Sequence, residues 1–460
     1  MSYESNRWTA NRVAVLLTLL AAISLSWACG GSSGASSGST GGSTDSLALT
    51  LSGTTATAPA GGSIARVTAT VARTNSSGSV TLSVSGLPTG ASVTYDAQPG
   101  TGNSGTIALN PGSASAGTYA LTVSATDGTA TASTGLSFAI NAGIASQLAT
   151  PITWSSTAPL MSAISDSTHN LVAIKDPSVV YYNGNWHVFA TTADTSGSWN
   201  MAYYSFADWS QAPAAKPYYM DATAGLSGYH CAPEVFFFAP QSKWYLIYQS
   251  GPPQYSTTAD IDDPSSWTAP QSFFASQPST VANWLDFWTI CDTTNCYLFF
   301  SGDDGNFYRS QTTVSAFPAD FSTPVAIMKS SNAADLFEAS NVYKLKGLNQ
   351  YLTLIEAAGS TGHRYFRAFI SSSLDGDLTP LPEANSWATP FAGINNVTFD
   401  SGTTWTDDIS HGEMLRDGYD QTLEIDPSNL QYLYQGVDPN NTASSYSQIP
   451  WQLGILTRSN

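Results

Sequence analysis

"NWLDFWTICDTTNCYLFFS", residues 283–301, is a pair of aromatic and apolar runs joined by the polar turn Asp292–Asn295. Runs of this length and composition read as β-strands, and a polar four-residue turn between them makes a hairpin. The same pattern returns in "SVVYYNGNWHVFATT" (178–192), "EVFFFAPQSKWYLIYQS" (234–250) and "SNVYKLKGLNQYLTLIEA" (340–357), and a fifth copy is suggested around "QTLEIDPSNLQYLYQGV" (421–437). The connections NGN, PQSK, DTTN and KGLN all carry hairpin chemistry. Helical periodicity is scarce. Antiparallel units repeating at roughly 50-residue spacing predict a β-propeller, and about five units fit the available length. A closed ring of blades hides its sheet edges, and its central funnel collects residues from the start of each blade.

Working outward, every Trp except Trp8 and Trp27 lies beyond residue 145. Residues 45–142 are instead rich in Thr, Ser, Ala, Val and Gly. Stretches such as "SVTLSVSGLPTGASVTYD" (79–96) alternate apolar and polar positions between turns, which predicts a small β-sandwich similar to bacterial immunoglobulin-like modules. With almost no aromatic residues to expose, it is expected to be a spacer and not a sugar-binding module. The fold class is therefore all-β: a five-bladed propeller over 148–460 preceded by an Ig-like sandwich over 45–142.

At the start, Arg7 and Arg12 precede an apolar run from Val13 to Ala28 that is short for a membrane span and ends in small residues. Residues 1–28 read as a secretion signal and 29–44 as a Ser/Gly linker. Cys29 directly after Ala28 suggests a lipid anchor, although Trp27 fits a lipobox poorly. The protein is expected to be secreted or an outer-surface lipoprotein. In that oxidising setting Cys291 and Cys296 can clip their hairpin with a disulfide. Zinc is the rival reading for the pair, but no second Cys or His pair stands nearby. Cys231 is expected to be a buried free thiol.

The 460-residue chain is only 10% charged, with 33 Asp and Glu against 15 Lys and Arg and a formal net charge of −18. Phosphate backbones would be repelled, which argues against nucleic-acid binding. Its 22 Tyr, 19 Phe and 13 Trp suit neutral, ring-shaped ligands such as sugars. In so charge-poor a chain, isolated acids stand out. Asp176 precedes the first hairpin, Asp286 the third and Glu338 the fourth, each at the start of an inner strand whose side chains converge on the axis. An ionised carboxylate among aromatics loses hydration and needs a partner or a proton. Three of them around one aromatic-walled pocket match glycoside hydrolysis, which needs one protonated and one ionised acid. The structural alternative has Asp176 capping a turn, Asp286 paired with an Arg and Glu338 at a strand edge.

The blocks "KDPSVVYYNGNWHVFA" (175–190), "NWLDFWTICDTTNCYLFFSGDDGNFYRSQT" (283–312), "LFEASNVYKLKGLNQYLTLIEA" (336–357), "WTDDISHGEM" (405–414) and "LYQGVDPN" (433–440) resemble glycoside hydrolase family 62. The resemblance covers nearly all of 148–460 and implies a five-bladed propeller with α-L-arabinofuranosidase activity on arabinoxylan. It implies Asp176 as general base, Glu338 as general acid and Asp286 as the carboxylate that tunes the acid. An inverting mechanism follows, with the working carboxyls about 6.5–9.5 Å apart. Lys175 would hold substrate hydroxyls, and His411 would face a structural calcium on the axis, with water supplying most of the shell. Gln249 and Tyr434, at strand ends that should reach the funnel, are further candidates for sugar contacts. Glu234 and Cys231 depart from the family pattern, and Glu234 would be a fourth acid by the cleft or face solvent. The chain is expected to act as a monomer. A related pentosidase of arabinanase or xylosidase type, or a non-catalytic polysaccharide-binding propeller, are the competing readings.

Overall fold

The computed structural model describes residues 45–460 apart from 61–63, 142–147, 149, 277, 282, 360 and 361. The expected leader, Cys29 and the linker lie outside the described residues. Residues 46–141 form two four-stranded sheets. One strand, Ala65–Thr74, alternates buried and exposed positions along most of its length, and its inward Val67, Ala69 and Val71 meet Leu121, Val123 and Phe138 of the other sheet in one apolar cluster. No member of that cluster belongs to the cores built from residue 148 onward.

Beyond residue 150 the described residues form five further sheets of four or five strands. Their inner strands are Leu171–Tyr182, Cys231–Phe238, Leu285–Cys291, Glu338–Leu345 and Ser410–Met414. Each packs on the next, and Ser410–Met414 packs back on Leu171–Tyr182, so the five form a closed cycle. The cycle is fastened in the fifth sheet, where Trp154–Ser156 pairs antiparallel with Gln452–Arg458. Local sequence explains the hairpins. Asn183 (φ 50°) and Gly184 (φ 84°) give the two positive dihedrals of a type I′ turn, with Tyr182 directly opposite Asn185.

The expected fifth hairpin does not form. Glu424–Ile425 runs parallel to Glu338–Leu345 in the fourth sheet, while Gln431–Gly436 pairs with Ser410–Met414. The true inner strand, "SHGEM", is too short and polar to announce itself. Packing demands its glycine: a Cβ on Gly412 would lie 2.1 Å from the Leu433 carbonyl oxygen.

Cys291 and Cys296 stand opposite each other in register and are disulfide-bonded. The short loop they close should contribute about 2 kcal/mol. The double variant Cys291→Ala, Cys296→Ala should therefore denature at a lower midpoint, and an unchanged midpoint would show that the clip contributes nothing.

Candidate active site

Each inner strand carries a bulge at the same height. The register slips between Lys175 and Ser178, Cys231 and Glu234, Leu285 and Trp288, Glu338 and Asn341, and Ser410 and Gly412. In four of these bulges one residue is left-handed: Asp176 (φ 47°), Ala232 (49°), Asp286 (54°) and Ala339 (50°). Bulges re-aim side chains, and left-handed non-glycine residues are strained conformations that gather at functional sites. Here they turn Asp176 and Asp286, and Glu338 beside Ala339, toward a common centre.

His411 of the fifth inner strand is the hub. Its Nδ1 lies 3.3 Å from Asp176 Oδ1 and 3.7 Å from Asp286 Oδ2. Lys175 Nζ sits 3.1 Å from Asp176 Oδ2, between the rings of Trp199 and Tyr446 at 4.8 and 4.9 Å. Asp286 Oδ2 accepts the Ala339 N–H at 2.9 Å, which ties it to the strand that carries Glu338. Glu338 Oε1 meets Arg364 Nη1 at 2.8 Å, and the same nitrogen lies 2.6 Å from Glu356 Oε1. The arginine that the structural alternative would pair with Asp286 is instead a partner of Glu338.

These contacts push the acids apart electrostatically. Burial alone would raise Asp176, but Lys175 and His411 override it and hold the carboxyl below its ordinary value. Burial pushes Asp286 up to about 6, with His411 opposing and Glu338 and Asp176 adding to the rise. Burial works against charge on His411, yet Asp286, Asp176, Glu356 and Glu338 around it raise its pKa. Lys175 behaves alike: burial lowers it, and Asp176 more than compensates. One ionised and one protonation-prone carboxyl flanking a cation is an arrangement suited to acid–base work.

Gln249 reaches the site: its amide accepts the Asp286 N–H at 3.4 Å and donates to the Tyr229 hydroxyl at 2.5 Å. Tyr434 does not. It is 0% exposed, and its hydroxyl is occupied by Ser156 at 2.7 Å, because its strand turns this ring into the core between sheets. Glu234 neither faces solvent nor joins the cleft; buried one layer below, it accepts the Thr289 N–H at 2.6 Å. Cys231 is free and buried, as expected, and desolvation pushes its thiol up to about 12. Arg364 and Glu356 were missed. Glu356 ends the apolar run "LTLI", the same signal that exposed Asp286, and Arg364 stands in the aromatic strand "RYFRAF" of a chain poor in cations.

His411 fits calcium poorly. Its Nδ1 is turned to the aspartates, and no three His, Cys, Asp or Glu side chains among the described residues are grouped to hold a metal. Calcium takes six to eight oxygens, and this site offers one ring nitrogen outside the carboxylate cluster.

Carboxylates of opposed protonation tendency, braced by buried cations and walled by aromatic rings, are an arrangement suited to a glycoside hydrolase. The Glycosyl hydrolase family 62 profile matches residues 153–457. The chain belongs to that family. It is 44% identical over 312 residues to α-L-arabinofuranosidase C of Cellvibrio japonicus, an alignment that covers 67% of this chain and 48% of that protein. The chain thus aligns with about half the length of that curated relative. Among solved structures, the catalytic domain of a Coprinopsis cinerea family 62 α-L-arabinofuranosidase is similar at 51% identity and TM-score 0.65, over 67% of this chain and 97% of that one. An α-L-arabinofuranosidase from Podospora anserina, solved with cellotriose, is 44% identical at TM-score 0.64 over the same shares. A family 62 hydrolase solved with xylotriose is 44% identical at TM-score 0.63, over 66% and 97%.

Proposed function

We propose that the protein is an inverting α-L-arabinofuranosidase that releases arabinofuranosyl side chains from arabinoxylan. The observation that carries this reading is the braced trio Asp176, Asp286 and Glu338 in a chain of family 62. Asp176, kept ionised by Lys175 and His411, takes a proton from water on the face of the sugar opposite the leaving oxygen. Arg364 engages Oε1 of Glu338, so Oε2 delivers the proton to the xylose oxygen. Asp286 links the two, since its Oδ2 holds the Ala339 N–H next to the acid. Lys175 and Gln249 are the candidates for contacts to sugar hydroxyls in this reading. A cavity of about 530 Å³ beside the site, with Trp199, Tyr229 and His169 in its wall, offers stacking surfaces for the xylan chain. Xylotriose bound in a relative supports such a backbone ligand.

Incubating the full chain with arabinoxylan should release arabinose, with the β-anomer appearing first by NMR. Binding without release would favour a non-catalytic module, and release of xylose or arabinan fragments a related pentosidase.

The five sheets are read as blades of a five-bladed propeller, and residues 45–142 as an Ig-like spacer on account of their separate core. Residues 148–460 expressed alone should keep activity on soluble arabinoxylan; loss of folding would show a shared core. Export is supported by the disulfide, since such bonds persist in oxidising compartments, and the protein is read as a secreted or lipid-anchored monomer. An unprocessed N-terminus on the exported protein, or a dimer in solution, would contradict it. A calcium ion beside His411 enters this reading only as a structural ion with a mostly aqueous shell, and no step runs through it. A melting temperature lowered by chelation would support the ion against the poor fit of His411, and an unchanged value removes it.

A further inference from the structure

The inner strand of each sheet is an edge, except that Glu424–Ile425 covers the far end of Glu338–Leu345, and at the height of the bulges its N–H groups have no strand to pair with. Buried donors of this kind need partners. At the height of the bulges the partners form a ring. Thr191 of the first sheet accepts the Ala232 N–H of the second at 2.8 Å, and Gln249 of the second accepts the Asp286 N–H of the third at 3.4 Å. Asp286 accepts the Ala339 N–H of the fourth at 2.9 Å, and Glu356 of the fourth accepts the His411 N–H of the fifth at 2.8 Å. Gln435 of the fifth closes the circle on the Asp176 N–H of the first at 2.7 Å.

The ring has a register. Thr191, Gln249, Glu356 and Gln435 each stand opposite the first residue of their own bulge, namely Lys175, Cys231, Glu338 and Ser410. Ser301 holds that place in the third sheet, opposite Leu285, but its buried hydroxyl makes no hydrogen bond among the described residues and Asp286 bonds the next sheet instead. The donor in each bond is a bulge residue, and four of the five are left-handed. A strained backbone persists only where its surroundings hold it.

The geometry points to Gln435 as the positioning residue of Asp176, a role that rests on the arabinofuranosidase reading above. Gln435 is fully buried and uses both ends of its amide. While Oε1 holds the Asp176 N–H, Nε2 donates to Ser410 Oγ at 3.1 Å, and Ser410 Oγ in turn donates to Glu356. Glu356 also holds Arg364, the partner of Glu338. Gln435 is thus the joint between the arm that carries the base and the arm that carries the acid, and at 1% exposure it is buried away from solvent. Without it the Asp176 bulge is free to relax toward ordinary extended backbone, which swings the carboxylate off its water.

The test compares Gln435→Met, similar in length but without the acceptor, with the wild-type full chain. On arabinoxylan and on an aryl arabinofuranoside with an acidic phenol, kcat should fall by a similar factor, about 10–10²-fold, with KM little changed, because about 1 Å of misplacement suffices for such a loss. Gln435→Glu, which keeps the acceptor oxygen for Asp176 but loses the donor to Ser410, should lie between Gln435→Met and wild type. Tyr343→Phe removes a bond between sheets of the same kind one layer deeper, where the Tyr343 hydroxyl accepts the Met414 N–H at 2.9 Å. It should lower the melting temperature and leave kcat unchanged. If Gln435→Met does not fold, Gln435→Asn, too short to reach Asp176, must show the loss. Wild-type kcat in a folded Met or Asn variant, or a loss in Tyr343→Phe of equal size, would overturn the role of Gln435. A wild-type chain that releases no arabinose would overturn the function itself, and this role with it.

Discussion

Glu338→Gln should lower turnover on arabinoxylan by about 10²–10⁴-fold, because the amide cannot protonate the departing xylose oxygen. The loss depends on the leaving group. A phenol of low pKa departs without a proton, so hydrolysis of an aryl arabinofuranoside should suffer far less. The substitution keeps an oxygen that can accept from Arg364 Nη1, now 2.8 Å from Oε1, so the fold should survive it. Steady-state kinetics on the two substrates decide the matter. Equal losses on both would remove Glu338 from the role of acid and leave it as a partner of Arg364.

Asp176→Asn should cost on the order of 10³–10⁴-fold on both substrates, since a better leaving group cannot replace the activated water. The amide would also face Lys175 and His411 without the charge that keeps both cationic. The variant is expected to bind oligosaccharide while failing to turn it over, which isothermal titration can read directly. A residual rate within tenfold of wild type would mean that another group activates the water. Release of the α-anomer first would mean a covalent intermediate, and with it a nucleophile where a base is assigned.

Much of this site was legible before any coordinates. Asp176, Asp286 and Glu338 declared themselves because a carboxylate at the start of an aromatic strand has few structural excuses. Their repeated place before a hairpin carried the inference. Lys175 followed from its neighbour. The same reasoning stopped short at Glu356, whose place at the end of a strand, and not the start, hid it. Tyr434 misled because a tyrosine near a strand end can point to either face, and one residue of register decides which.

By itself, the sequence determined the alternation of strands and turns, the Asn183–Gly184 turn, the cross-strand cysteines and which three isolated acids to look for. All of these depend on residues close in the chain or on the cost of burying charge. Only the tertiary structure decided that "SHGEM" is the fifth inner strand, that Glu424–Ile425 joins the fourth sheet, and that His411 stands between two aspartates. It alone paired Gln435 with Asp176, residues 259 apart in sequence. The reason is that such contacts arise from closing the cycle of sheets. Closure leaves the bulge of each inner strand without a strand to pair with at the axis, and which side chain satisfies each bulge depends on the register of sheets distant in sequence.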